Sequence, residues 1–204
     1  MRRTKEEAEI TKQNLLAAGL EVFSRNGYKG TRVEDIAEHA NVTTGAIYHH
    51  FGGKSELFIA LVEKSEAKAN QIALQAVEEG GSPATLLRRL LVRVFKFIEE
   101  DREYRAMYEL FINKNDFSPE LSFLSAQSLE GRRQLTQYFL NLIIEGIDVG
   151  EFDPDISPKD AALALVGFIN GMGLIWIQDP DQFSIKERAE KLVDLFLSSI
   201  SVGG

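Results

Sequence analysis

The residues whose types and spacing could do chemistry on a partner lie between Thr43 and Lys54, in TTGAIYHHFGGK. On a helix beginning at Thr43 or Thr44, the outer face carries Thr43, Thr44, Gly45, Ala46, Tyr48, His49 and His50, with no acidic member. Short side chains at a helix N-terminus can approach base edges, and hydroxyl, imidazole and ammonium groups can donate to phosphate oxygens. Gly45 and Ala46 permit close approach to a thymine methyl, while Tyr48, His49, His50 and Lys54 supply the donors. Hydrogen bonding to a DNA duplex is the chemistry this set supports. Enzymatic chemistry is poorly served, because the chain has no Gly-rich phosphate loop, no G-x-S-x-G and no cysteine. Its three histidines, His39, His49 and His50, crowd into one stretch, and two adjacent histidines point to different sides of a helix and make a poor metal pair. The expectation is a binding protein with no cofactor and no metal, not an enzyme.

Two short helices must position that face. Thr31 is a favourable N-cap and Glu34 completes a capping box, which predicts a helix from Arg32. Thr31 and Arg32, at its entrance, join the candidate DNA contacts. Val33, Ile36, Ala37 and Ala40 fall on one apolar face. Asn41 then stands at a turn whose backbone goes left-handed, a conformation asparagine tolerates better than most residues. Val42 plugs the turn, Ile47 and Phe51 face inward from the second helix, and Gly52-Gly53 ends it.

The run G-Y-x-G-T-x-V-x-D-I-A-x-x-A-x-V-T-x-G-A-I-Y-x-H-F-x-x-K-x-E-L, from Gly27 to Leu57, resembles the DNA-binding domain of TetR-family transcriptional regulators, with Asn41 replacing the usual glycine. The resemblance implies an all-α chain of about nine helices: a three-helix helix-turn-helix domain over 1–54 and a ligand-binding and dimerisation domain over 55–204. It also implies a homodimer on a palindromic operator and a small-molecule pocket among the helices of the body. The start RRTKEEAE and the layout of the body look most like family members that control multidrug efflux genes.

Length and charge agree with a head on a larger body. At 204 residues the chain holds one domain or two small ones, and a head of about 50 residues buries too little surface to stand alone. The absence of cysteine excludes disulfides and thiol redox sensing. The opening MRRTKEEAEI is too charged for a secretory signal, so a cytoplasmic protein is expected. Of the net charge of −8, residues 1–54 contribute +1, from eight basic and seven acidic side chains, and the remainder −9. A near-neutral head can still hold DNA if its positive groups share a face, with steep salt dependence.

The flanking elements follow in order. Arg2, Arg3 and Lys5 form a basic arm, readable as a solvated terminus or as a phosphate-tracking segment. A helix over 5–26 buries Leu15, Leu16, Ala18, Leu20, Val22 and Phe23 and stops at Asn26-Gly27. A rod from Ser55 to about Glu79, roughly 35 Å at 1.5 Å per residue, leads away from the head. Ser82-Pro83 opens a helix to Glu100, with Arg89, Arg93 and Lys96 read as a solvated stripe. A helix over 102–113 follows. Ser118-Pro119 opens the next, to about Gly146, with Leu121, Leu124, Leu135, Phe139, Leu142 and Ile143 inward.

Ala161 to Ile177 is the most apolar run, 17 residues interrupted only by Asn170. That is the short limit for crossing ~30 Å of hydrocarbon, and Asp160 and Asp179 flank it, so the reading is a helix covered by protein on all sides. One small body cannot easily supply that cover. A dimer can, through Leu163, Gly167, Phe168, Gly171 and Leu174 together with Leu192 and Phe196 of a last helix capped by Ser184 and Glu187. Phe95, Met107, Tyr108, Phe111, Phe139 and Trp176 are the candidate ligand contacts; each taken singly reads first as core, and the surplus of aromatics suits a hydrophobic effector. A ligand-responsive repressor is the reading adopted; control by a protein partner, or activation in place of repression, are the alternatives.

Overall fold

The computed structural model describes the backbone of residues 5–113 and 122–203 and the side chains of 5–110 and 129–203. The described residues form nine helices: α1 (Lys5–Gly30), α2 (Val33–His39), α3 (Thr44–His50), α4 (Lys54–Glu78), α5 (Pro83–Glu100), α6 (Arg102–Asn113), α7 (Ser122–Asp148), α8 (Pro158–Gln178) and α9 (Ile185–Ser198). The sole extended pairing among them is an isolated bridge between Phe152 and Ser201. The proposed cap at Ser118-Pro119 and the inward positions Leu121 and Leu124 lie outside the described residues.

Two compact units form, Met1–Ala67 with Glu103–Ser125, and Lys68–Arg102 with Ala126–Gly204. Lys54, where the sequence reading divides the chain, begins α4, whose first half belongs to the first unit.

The first unit is built around α1. Leu15, Leu16, Leu20 and Phe23 meet Ile36 and Ala37 of α2, Ile47 of α3, Leu57, Phe58, Leu61 and Val62 of α4, and Met107 and Leu110 of α6 in one apolar cluster. Phe23, Tyr28 and Phe58 pack as a triad with ring centroids 5.1–5.8 Å apart. Gly19 lets α1 and α4 approach, since a β-carbon there would fall 2.5 Å from Leu57 Cδ2. Gly27, at φ 71°, breaks α1 as Asn26-Gly27 suggests, and a last turn runs on to Gly30. Lys64 and Glu103 pair at 3.0 Å.

The second unit packs α5 against α9. Leu87, Leu90, Leu91 and Ile98 are buried on α5, and Ile185, Ala189, Val193 and Leu197 on α9. The rim is ionic: Arg88–Asp194 at 2.6 Å, Lys96–Glu190 at 3.2 Å and Lys186–Glu100 at 2.5 Å. Ser184 Oγ accepts the Glu187 N–H, and Glu99 of α5 accepts both the Ser184 hydroxyl and the Lys186 N–H at 3.0 Å. The expected solvated stripe is corrected by these contacts. Arg89 donates to the Ala76 and Gly80 carbonyls at the end of α4, and Arg93 pairs with Glu79. The same α4 end, with its unpaired carbonyls, explains why arginines face it. Leu135, expected inward, is 39% exposed; residues 131–135 all face solvent, and among the described side chains of α7 the first buried one is Phe139.

Candidate nucleic-acid interface

Helices α2 and α3 form the helix-turn-helix. Asn41 is the one non-glycine residue with positive φ among the described residues, at 54°. Its N–H donates to the Glu38 carbonyl at 3.0 Å, and the Val42 N–H to Ala37 at 2.9 Å, so the left-handed residue turns the chain while both amides stay paired. Val42, Ala40 and Phe51 pack against the apolar cluster. Gly52, at φ 99°, ends α3.

The outward face of α3 keeps the expected residues at the surface. Thr43, Gly45, Tyr48 and His49 are exposed, and Thr44, Ala46 and His50 half-buried. Tyr48 leaves 57% of its surface in solvent, and the Thr43 side chain makes no cap hydrogen bond. His49 and His50 meet edge to face at 5.2 Å. Arg32 is exposed. Among these side chains there is no carboxylate. His39, one helix earlier, turns to Glu21 of α1 at 3.0 Å.

Two of the expected contacts are placed away from the outer face of α3. Thr31 does not cap α2 or face outward: it is 1% exposed, and its hydroxyl donates to the Gly27 carbonyl at 2.7 Å. The N-cap is Arg32, whose N–H donates to the Asp35 carboxylate at 3.0 Å. The capping pattern has moved one residue along, because the end of α1 claims the threonine. Lys54 points inward: its ammonium donates to the Tyr28 and Thr31 carbonyls at 3.1 and 3.0 Å. Lys12 joins this neighbourhood: its ammonium stands 6.0 Å over the Phe51 ring, beside the end of α3. No local pattern points to it, because the two meet only through the fold.

The candidate ligand contacts divide between the units. Phe95, Phe139 and Trp176 are buried in the second. Met107 is buried in the apolar cluster of the first, and Tyr108 lies half-buried beside Tyr104, centroids 6.3 Å apart. Burial, followed by the neighbouring Tyr104, pushes the Tyr108 hydroxyl up to about 12. The side chain of Phe111 lies outside the described residues. Sequence reasoning missed Tyr138, whose hydroxyl oxygen is buried with no hydrogen-bond partner among the described residues; burial pushes its pKa up.

Among the candidate dimer contacts, Leu163 is 52% exposed, and open space surrounds Gly167 and Gly171. Leu174, Leu192, Phe168 and Phe196 are half-buried. Phe168 stacks on Phe196 at 5.0 Å and meets Phe95 edge-on at 5.5 Å, so part of this pair belongs to the body's own core. Leu195, 71% exposed, was overlooked although it lies three residues from Leu192 on the same face. α8 is long and apolar enough, by length and composition, to cross a membrane. Among the described residues no group of three or more His, Asp or Glu is placed to hold a metal.

A helix-turn-helix with an exposed, acid-free second helix, followed by a separate helical body, defines a DNA-binding regulator. The pattern of bacterial regulatory proteins of the tetR family matches residues 15–61, and that of the MAATS-type transcriptional repressor C-terminal region matches 82–202. The HTH-type transcriptional regulator AcrR of Shigella flexneri is 30% identical over 201 residues, spanning 96% of this chain and 92% of the relative. NalD of Pseudomonas aeruginosa, the secondary repressor of the MexAB-OprM multidrug efflux pump, shares the fold with a TM-score of 0.84 and 24% identity, over 98% of this chain and all of that one. SmeT in its triclosan complex superposes with a TM-score of 0.79 and 24% identity, over 96% of this chain and 93% of that one. The chain belongs to the TetR family of transcriptional regulators, the family that the Gly27–Leu57 run resembles.

Proposed function

We propose that this regulator is a cytoplasmic homodimeric repressor that holds a palindromic operator through α3 and releases it when a hydrophobic small molecule enters the body. The observation that carries the DNA-binding half is the exposed face of α3, with Tyr48 57% in solvent and no acidic residue on the helix itself. Thr43, Thr44, Gly45 and Ala46 read bases; Arg32, Tyr48, His49 and His50 position the helix on phosphates. A two-fold dimer presents two such helices one turn of DNA apart, ~34–36 Å.

The effector half is supported by the buried aromatics Phe95, Phe139 and Trp176 and by the unpartnered Tyr138 hydroxyl. A buried donor without a partner costs free energy that a ligand's polar group would recover. SmeT, a protein of the same fold, is known in complex with a small molecule, triclosan. Release follows only to the extent that the effector binds the DNA-incompetent conformation better.

Selection of duplexes from a random-sequence library tests the DNA-binding half. The wild-type chain is expected to recover an inverted repeat. Thr44→Ala should change the recovered consensus, whereas Tyr48→Phe should weaken recovered and random duplexes alike. Recovery of no duplex, or of an unrelated direct repeat, refutes the reading.

A further inference from the structure

We infer that Lys54 is a positioning residue, whose ammonium locks the α1–α2 junction from the start of α4, and not a phosphate contact. The inference rests on the DNA-binding reading above. An ammonium has three donors. Two go to the carbonyls of Tyr28 (3.1 Å) and Thr31 (3.0 Å), and the group sits 4.4 Å from the centroid of the Tyr28 ring. Two of its three donors are directed into the fold.

What it holds is a break in the helical backbone. Gly27 breaks α1 at φ 71°, and a helix end leaves carbonyls without intrahelical partners. Thr31 closes this end from inside, through its hydroxyl on Gly27 and its N–H on the Tyr28 carbonyl at 3.3 Å. Lys54 closes it from α4. The Tyr28 ring, packed on Phe23 of α1 and edge-on to Phe58 of α4, supplies the third face. Thr31 is the sole buried polar residue among the described ones, so the junction is the place where this core admits polarity. α2 starts two residues later, and α3 inherits its placement from α2.

The two roles for Lys54 separate by salt. Each phosphate neutralised adds about 0.9 to the slope of log K against log salt concentration, whereas a lysine facing carbonyls acts through geometry. The experiment uses the full-length chain with Lys54→Met, Lys54→Arg and Thr31→Val. The DNA probes are a duplex recovered by the wild type from a random library and an unselected duplex of equal length. Amide hydrogen exchange is followed over residues 28–36 without DNA.

Lys54→Met and Thr31→Val should each weaken the recovered duplex by about tenfold or more, the scale of a lost charge-assisted hydrogen bond. The salt slope should hold close to the wild-type value, and exchange over 28–36 should quicken in both. A Lys54→Met slope smaller by about 1.8, about 0.9 for each of the two copies in the dimer, with unchanged exchange overturns the inference. So does Lys54→Arg binding as tightly as wild type, since it keeps the charge but places a planar fork where a compact ammonium fits. If Lys54→Met does not fold, Lys54→Arg and Thr31→Val decide alone. A wild type that recovers no duplex refutes DNA binding, and exchange in the free protein still tests the lock.

Discussion

Leu195 offers the sharpest test of the proposed dimer. It is the most exposed large apolar side chain among the described residues, at 71%, and shares a face of α9 with Leu192 and Phe196. In a two-fold bundle of α8 and α9 it would be buried in both copies. Fully burying a leucine is worth about 1.5–3 kcal/mol. Scaled by the exposed share and doubled by symmetry, Leu195→Glu removes about 2–4 kcal/mol per dimer, and the dissociation constant rises roughly 30- to 1,000-fold. Desolvating two carboxylates near a symmetry axis pushes further in the same direction. The isolated fold should hardly notice, because an exposed position contributes within about 0.5 kcal/mol. Phe168→Glu is a poorer probe: its ring stacks on Phe196 and abuts Phe95, so a charge there damages the body before it reports on association. The assay is sedimentation velocity over a concentration series, with circular dichroism to show that helix content is retained. A Leu195→Glu variant that dissociates at the same concentration as wild type, or a wild type that is monomeric throughout, would refute the proposed interface.

Three further outcomes follow from named contacts. Asn41 holds φ 54°, a region that costs a residue with a β-carbon about 1–2 kcal/mol; Asn41→Ala should lower the urea midpoint by about 1 kcal/mol of stability, while Asn41→Gly stays near wild type. A β-carbon at Gly146 would overlap the fully buried Phe152 ring, so Gly146→Ala should destabilise by about 1–3 kcal/mol despite alanine's better helix propensity. Tyr108, raised from 10.0 to about 12, stays protonated in the fold while the unfolded chain ionises. Its contribution is intact below pH 10 and is lost as pH rises through 12; chemical denaturation over that window should show a slope that Tyr108→Phe reduces.

The elements legible in the sequence are those whose signals are local. Ser82-Pro83 starts α5, Ser157-Pro158 starts α8 and Ser184 starts α9, each with the serine oxygen accepting an N–H three residues on. The turn at Asn41 and the outward face of α3 are equally local, since one residue's tolerance and one helix period decide them. The contacts that the sequence did not reveal share a different origin. Thr31 looked like a cap because caps are read from three residues, yet the carbonyl it serves belongs to the break at Gly27. Lys54, which follows the recognition helix and suggests a phosphate donor, donates in the fold to Tyr28, 26 residues earlier. Arg89 and Arg93 looked solvated until Glu79 and the end of α4 stood opposite. In each case a polar group's partner was chosen by packing, which no spacing rule carries.

That distinction bears on how such a regulator can let go. α3 has seven residues and one fully buried side chain, Ile47, and a helix so short has no stability of its own. Its orientation is borrowed from the half-buried Val42 and Phe51 and, through α2, from the Gly27–Thr31 junction. A recognition helix anchored mainly through others reads bases well only while those anchors stand. It can also be moved by perturbing them, at a cost of a few kcal/mol that a bound effector's differential affinity can meet. A helix buried along its length in a core would read DNA as faithfully and could not be shifted so cheaply. The sparse anchoring of α3 is what makes an exposed, acid-free reading surface compatible with release.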